Sequence, residues 1–154
     1  MSLPTELAIR GAGIARDSSL VFWGKSFVMF ADRNTRARVC PSEISNPVSA
    51  AFVESGGRLH IEVITADGRL VIDTLPRAYV PCEVVAHLTS VDSVVAATHV
   101  DQRWFLIGVR KRDGRSLFSI ASDNTPRKLA GASRWLGEDT ADVHLTSGSE
   151  GDAQ

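Results

Sequence analysis

A chain of 154 residues is long enough for one domain that buries roughly 70% of its unfolded surface, and 44% hydrophobic content is too high for disorder. Its net charge of −1, from 17 basic and 18 acidic residues spread along the chain, argues against a nucleic-acid binder that works by phosphate neutralisation. No stretch approaches the ~20 apolar residues of a membrane span, and residues 1–16 hold no apolar run fit for a signal peptide.

Short apolar runs and turn residues alternate through most of the sequence. Ala8-Ile9-Arg10 reads as a strand, and Gly11-Ala12-Gly13 after it as a flexible bend. A dinucleotide loop there would need a third glycine and then a helix, and the chain supplies neither. Leu20-Val21-Phe22-Trp23 ends at Gly24-Lys25, where a glycine with positive φ would make a two-residue hairpin turn into Phe27-Val28-Met29-Phe30. Asp32-Arg33-Asn34 marks the next turn, and residues 36–40 alternate polar and apolar. A strand over 48–53 then runs to a turn at Gly56-Gly57.

Beyond that turn the chain carries one hairpin pattern twice. Arg58-Leu59-His60-Ile61-Glu62-Val63-Ile64 passes through Asp67-Gly68-Arg69 into Leu70-Val71-Ile72. Arg103-Trp104-Phe105-Leu106-Ile107-Gly108-Val109 passes through Asp113-Gly114-Arg115 into Leu117-Phe118-Ser119-Ile120. The Arg starts are 45 residues apart and the Asp-Gly turns 46 apart. Asp-Gly flanked by β-branched residues is a strong hairpin signal. Between the copies, Pro76 and Pro81 bracket a connection, residues 83–88 and 94–99 read as strands, and Asp101-Gln102 is a turn. No window of about 12 residues before Asn124 carries the 3.6 period of a helix, so the fold class is all-β and antiparallel.

The predicted core contains Val21, Ile61, Val63, Val71, Leu106 and Phe118, with either Phe27 and Met29 or Val28 and Phe30 from the first hairpin. A β-rich domain is expected over residues 1–123, an irregular segment over 124–146 and a flexible tail over 147–154. Residues 125–131 read as a loop and Ser133 to Glu138 as one helical turn.

A period near 45 residues falls in the range of β-propeller blades. It groups the strands into sets ending near Arg10, Trp23, Ala31 and Cys40; near Val53, Thr65, Leu75 and Leu88; and near His99, Arg110 and Ala121. The last set lacks its fourth strand or takes it from Val143-His144-Leu145. Each set resembles a four-stranded propeller blade, without a Trp-Asp strand end, a Gly-His pair or a kelch double glycine; a β-sandwich or barrel is the alternative. Asn46-Pro47-Val48-Ser49-Ala50, followed by Gly56-Gly57-Arg58-Leu59-His60-Ile61, resembles propeller segments in tail and connector proteins of tailed phages. Propellers close with 4–8 blades, so the resemblance implies self-association or a protein partner, and a virion setting; without a signal peptide or membrane span, a soluble, cytoplasmic protein is the default expectation.

Chemistry-bearing residues are sparse. His60 and Glu62 share one strand face, which reads as an exposed polar face opposite Leu59, Ile61 and Val63; as an enzyme's acid–base pair they would be the first residues to test. Of the remaining histidines, His87, His99 and His144, the first two stand alone among apolar neighbours, and no third ligand supports a zinc or iron site. Cys40 and Cys82, 42 residues apart, read as free, half-buried thiols of a reducing compartment, with one disulfide possible. No Gly-x-Ser-x-Gly elbow is present. No cofactor, metal or nucleic-acid role is expected. Asp32, Asp67 and Asp113 read as turn caps, and Arg36, Arg38 and Arg110-Lys111-Arg112 as solvated or edge charges.

Phe22 and Trp23 are adjacent, as are Trp104 and Phe105, so one of each pair points to the less buried sheet face. The four are the candidate contact residues of a non-catalytic structural or interaction module, part of a larger assembly. The alternative is a small β-fold enzyme or ligand binder using His60 and Glu62.

Overall fold

Alternating side chains in short runs bounded by turns produce strands, and a strand with apolar residues must bury a face against another layer. The computed structural model describes residues 8–74, 81–111 and 114–130. Three antiparallel four-stranded sheets form. The first holds β1 (Gly11–Ile14), β2 (Leu20–Trp23), β3 (Val28–Ala31) and β4 (Arg36–Arg38). The second holds β5 (Pro47–Ser55), β6 (Arg58–Thr65), β7 (Arg69–Thr74) and β8 (Glu83–His87). The third holds β9 (Ser93–Val100), β10 (Arg103–Arg110), β11 (Gly114–Ile120) and β12 (Pro126–Ala130).

In each sheet spatial order equals sequence order, and none closes into a barrel. The protein is all-β with blade-like units. Among the described residues there is no helix, and so none long and apolar enough to cross a membrane.

The chain divides into two compact units. One takes residues 1–65 and 69–85, the other 66–68 and 86–154. In the first unit the core lies between the first two sheets. Val21, Val28 and Phe30 face Ala50, Ile61, Val63 and Val71, and Phe30 meets Phe52 edge-on with ring centres 6.2 Å apart. The alternation therefore selects Val28 with Phe30, while Met29 points to the other face. All six other predicted core residues are buried.

In the second unit Trp104, Leu106, Ile107, Phe118 and Ile120 are buried. The Ala66–Gly68 turn is tied into it by backbone bonds, from Leu88 N to Gly68 O (2.7 Å) and Val94 N to Ala66 O (2.7 Å). Gly68 supplies the left-handed φ of 88° expected at the first Asp-Gly turn. Asp113 lies outside the described residues; Gly114 after it has φ 70°.

Four expectations are corrected. Gly11-Ala12-Gly13 is not a bend but lies within β1, each residue paired across to β2. A Cβ at Gly11 would overlap the Trp23 indole, so the glycine makes room for that ring. The turn from β2 to β3 falls one residue later than expected: Gly24 N donates to Phe27 O at 3.1 Å, which leaves Lys25 and Ser26 between them, and Gly24 does not take a positive φ. Gly24 is needed there for close approach, since a Cβ would sit 2.7 Å from Ala8 O.

The third set does have its fourth strand. Pro126–Ala130, read from sequence as loop, form β12, which pairs with β11 and joins Phe118 to Lys128 and Ile120 to Pro126. The Ser133–Glu138 turn, Val143 to Leu145 and the tail lie outside the described residues. Finally, Cys40 and Cys82 are joined in a disulfide, with Cα atoms 5.8 Å apart, and neither lies in a strand. With no free thiol left, the expectation of a reducing compartment loses its support.

That bond closes a 42-residue loop around β5, β6 and β7. Constraining such a loop in the unfolded chain is worth about 4 kcal/mol in the chain-entropy model. Replacing both cysteines by serine should lower the urea-unfolding free energy by about 2–4 kcal/mol. An unchanged midpoint would show that the loop is not constrained in solution.

Candidate functional site

β6 places the polar pair singled out from sequence. Residues two apart on a strand share a face, and His60 Nε2 lies 2.6 Å from Glu62 Oε2. Their cross-strand neighbours are Val53 and Thr74 for His60, Ala51 and Ile72 for Glu62. This face is the one turned away from the first sheet, because Ile61 and Val63 on the other face form the core with Val21 and Phe30. It is not the exposed face expected. Glu62 is 8% exposed, and both side chains retain only about a tenth of their accessible surface.

The physical reason is that β6 is a central strand whose residues from Ile61 to Thr65 are all buried. A carboxylate in that position must be hydrogen-bonded, and the imidazole supplies a partner. Nearby Thr65 is satisfied locally, its hydroxyl bonded to the carbonyl (3.3 Å) and amide (3.1 Å) of Arg69. The His60–Glu62 pair can hold or pass one proton between its two members.

The other described histidines do not join it. His87 is exposed and places Nε2 3.3 Å from Asp67 O. His99 stacks edge-on against Trp104, ring centres 5.2 Å apart. His144 lies outside the described residues.

The four aromatic candidates separate sharply. Trp104 is 1% exposed and covered by its own chain. Trp23 packs against the core cluster on the inner face of the first sheet. Phe105 is half-buried opposite Thr98 and Ser119. Phe22 alone of the four lies on the outer face of the first sheet, edge-on to Phe27 at 6.3 Å.

That outer face is an apolar surface. Ile14 pairs with Leu20, Ala12 with Phe22, Leu20 with Ala31, and Phe22 with Met29. Ile14 is 72% and Leu20 36% exposed. Arg36 and Arg38, both exposed, border it on the edge strand β4, with Arg38 Nη2 donating to Ser26 O at 3.4 Å. The signal for this face is present in the alternation of residues 11–31, but reading Gly11-Ala12-Gly13 as a bend hides its outer strand.

Asp32 caps its turn as expected. Asp32 Oδ1 accepts from the amides of Asn34 (2.8 Å) and Thr35 (2.7 Å). Arg110 and Lys111 are exposed, and the Lys111 amide donates to Asp92 Oδ2 at 2.8 Å. In the turn before β2, Asp17 Oδ1 accepts from the Ser19 amide at 3.0 Å. This bond, helped by the Ser19 hydroxyl, holds the Asp17 carboxyl below the usual carboxylate range.

A cluster that sequence reading missed joins Cys40, Glu43 and Cys82, whose ligand-type atoms all lie within 4.8 Å of one another.

A double-mutant cycle with His60→Ala and Glu62→Ala should return a coupling of about 1–3 kcal/mol by urea unfolding, since both groups are largely withdrawn from water. Additivity would mean that the contact carries no stability. For Asp17, the lowered folded value means that its contribution is present above the unfolded pKa and is lost as pH falls through the folded one. Ser19→Ala should raise the Asp17 titration midpoint only in part, measured by NMR, because the amide donor remains.

No protein-family model, no curated protein and no solved structure matches the chain, so a functional reading rests on this geometry.

Proposed function

We propose that the chain is a non-catalytic interaction module that self-associates through the outer face of its first sheet, as a subunit of a larger β assembly. The observation that carries this reading is the apolar surface of Ile14, Leu20, Phe22 and Met29, with Ile14 72% exposed. Soluble proteins rarely expose contiguous apolar sheet surface unless something covers it. The inner face of the same sheet illustrates the kind of cover that fits: another antiparallel sheet, packed through interdigitating aliphatic and aromatic side chains.

Arg36 and Arg38 supply a charged border of the sort that rims protein interfaces. The contact is carried by Phe22, Ile14 and Leu20, in place of the tryptophans. The blade-like sheets also agree with the resemblance to propeller segments of tailed-phage tail and connector proteins, and a virion component is the setting which that resemblance implies.

A second reading, a small β-fold enzyme or ligand binder, is favoured by one observation, the largely buried His60–Glu62 contact. On the proposed reading, His60→Ala leaves association unchanged.

Light scattering across a concentration series tests the proposal. The wild-type chain should exceed the monomer mass, and Ile14→Asp with Leu20→Asp should return it to monomer with an unchanged circular dichroism spectrum. A wild-type monomer at high concentration would overturn it.

A further inference from the structure

We propose that Cys40, Glu43 and Cys82 form a binding site for a thiophilic divalent cation, Zn²⁺ above all, once the disulfide is reduced. The site is built by local geometry. Cys40 adopts a left-handed φ of 47° and opens a tight turn in which its carbonyl accepts from the amides of Glu43 (3.1 Å) and Ile44 (2.9 Å). Residues three apart in such a turn project to the same side, which brings the Glu43 carboxylate beside the Cys40 sulfur. The turn is anchored by Val39 and Ile44, both buried in the core cluster. Cys82 arrives from the segment leading into β8 and completes the group within 4.8 Å.

This donor set suits zinc. Two thiolates and a carboxylate oxygen are ligands that Zn²⁺ accepts, at about 2.3 Å for sulfur and about 2.0–2.2 Å for oxygen. A tetrahedron of those bonds spaces the donors roughly 3.5–3.8 Å apart. The 5.8 Å Cα separation of the cysteines lets both sulfurs reach one cation by side-chain rotation. Three protein ligands leave the fourth position for water or a further ligand.

The chemistry balances. A dithiol reductant gives two electrons and two protons to the Cys40–Cys82 bond, yielding two thiols and the reductant's own disulfide. Binding of Zn²⁺ then forms two Zn–S bonds and releases the two thiol protons to water. Cys82 is half-buried, beside exposed Pro81, which leaves the bond open to attack from solvent. In either state the Cys40 turn stays tied to the start of β8, by a covalent bond when oxidised and by the cation when reduced.

The test uses the full chain reduced with a phosphine, anaerobically, and titrated with Co²⁺ as a spectroscopic stand-in and then Zn²⁺. The expected result is a thiolate-to-cobalt band in the near ultraviolet with tetrahedral bands in the visible, saturating at one equivalent and bleached by Zn²⁺. The oxidised chain should show none. Glu43→Gln should weaken binding at least about tenfold, the loss seen when even an outer-shell partner of a metal ligand is removed. Melting provides a second readout: Zn²⁺ should raise the melting temperature of the reduced chain and leave the oxidised chain unmoved. The absence of both the cobalt spectrum and the zinc-dependent melting shift would overturn the site. Binding that Glu43→Gln leaves unchanged would overturn the three-ligand assignment.

Discussion

Because β6 is hydrogen-bonded along both edges and covered on both faces, every polar group that it carries must be satisfied inside the protein. Its inner face supplies Ile61 and Val63 to the core shared with the first sheet. Its other face carries Ile64 together with His60 and Glu62, and the bond between the two polar side chains helps to satisfy them in that buried position. The double burial also sets the register. A slip of one residue would drive Glu62 into the aliphatic core and turn Ile61 and Val63 out of it.

Much of this architecture is legible in the sequence, and the reasons differ from element to element. The Asp67-Gly68 hairpin is visible because one glycine takes a left-handed conformation between two β-branched runs. The core positions can be read from period-2 alternation once strand identity is known. Sequence leaves the choice between Phe27 with Met29 and Val28 with Phe30 open, since four consecutive large residues alternate equally well in both registers. Tertiary packing decides it, and Phe27 is then buried outside the strand, in the connecting turn.

The misses have equally local causes. β1 is disguised by two glycines; at Gly11 the space of the missing side chain is filled by a tryptophan from the next strand, a cross-strand substitution that no single-strand pattern records. β12 opens on a proline and carries Arg127 and Lys128, the composition of an edge strand, which differs little from that of a loop. The disulfide and its neighbouring carboxylate are hidden by a separation of 42 residues, since only the fold makes Cys82 a neighbour of Cys40 and Glu43. The burial of His60 and Glu62 is masked because a polar face on an alternating strand ordinarily meets water.

Strand order equal to sequence order has a consequence for how the chain comes off the ribosome. Each sheet is one uninterrupted length of polypeptide, 11–38, 47–87 or 93–130, whose strands pair with the strand just made. Loop-closure entropy is small at every such step, so hairpins can zip in the order of synthesis without holding an unpaired strand in wait for a distant partner. The Cys40–Cys82 bond departs from that order: its first sulfur emerges before β5, and its second only after β7 is complete. The cross-link can therefore close on a three-stranded meander of β5, β6 and β7 that is already complete, just before β8 is made.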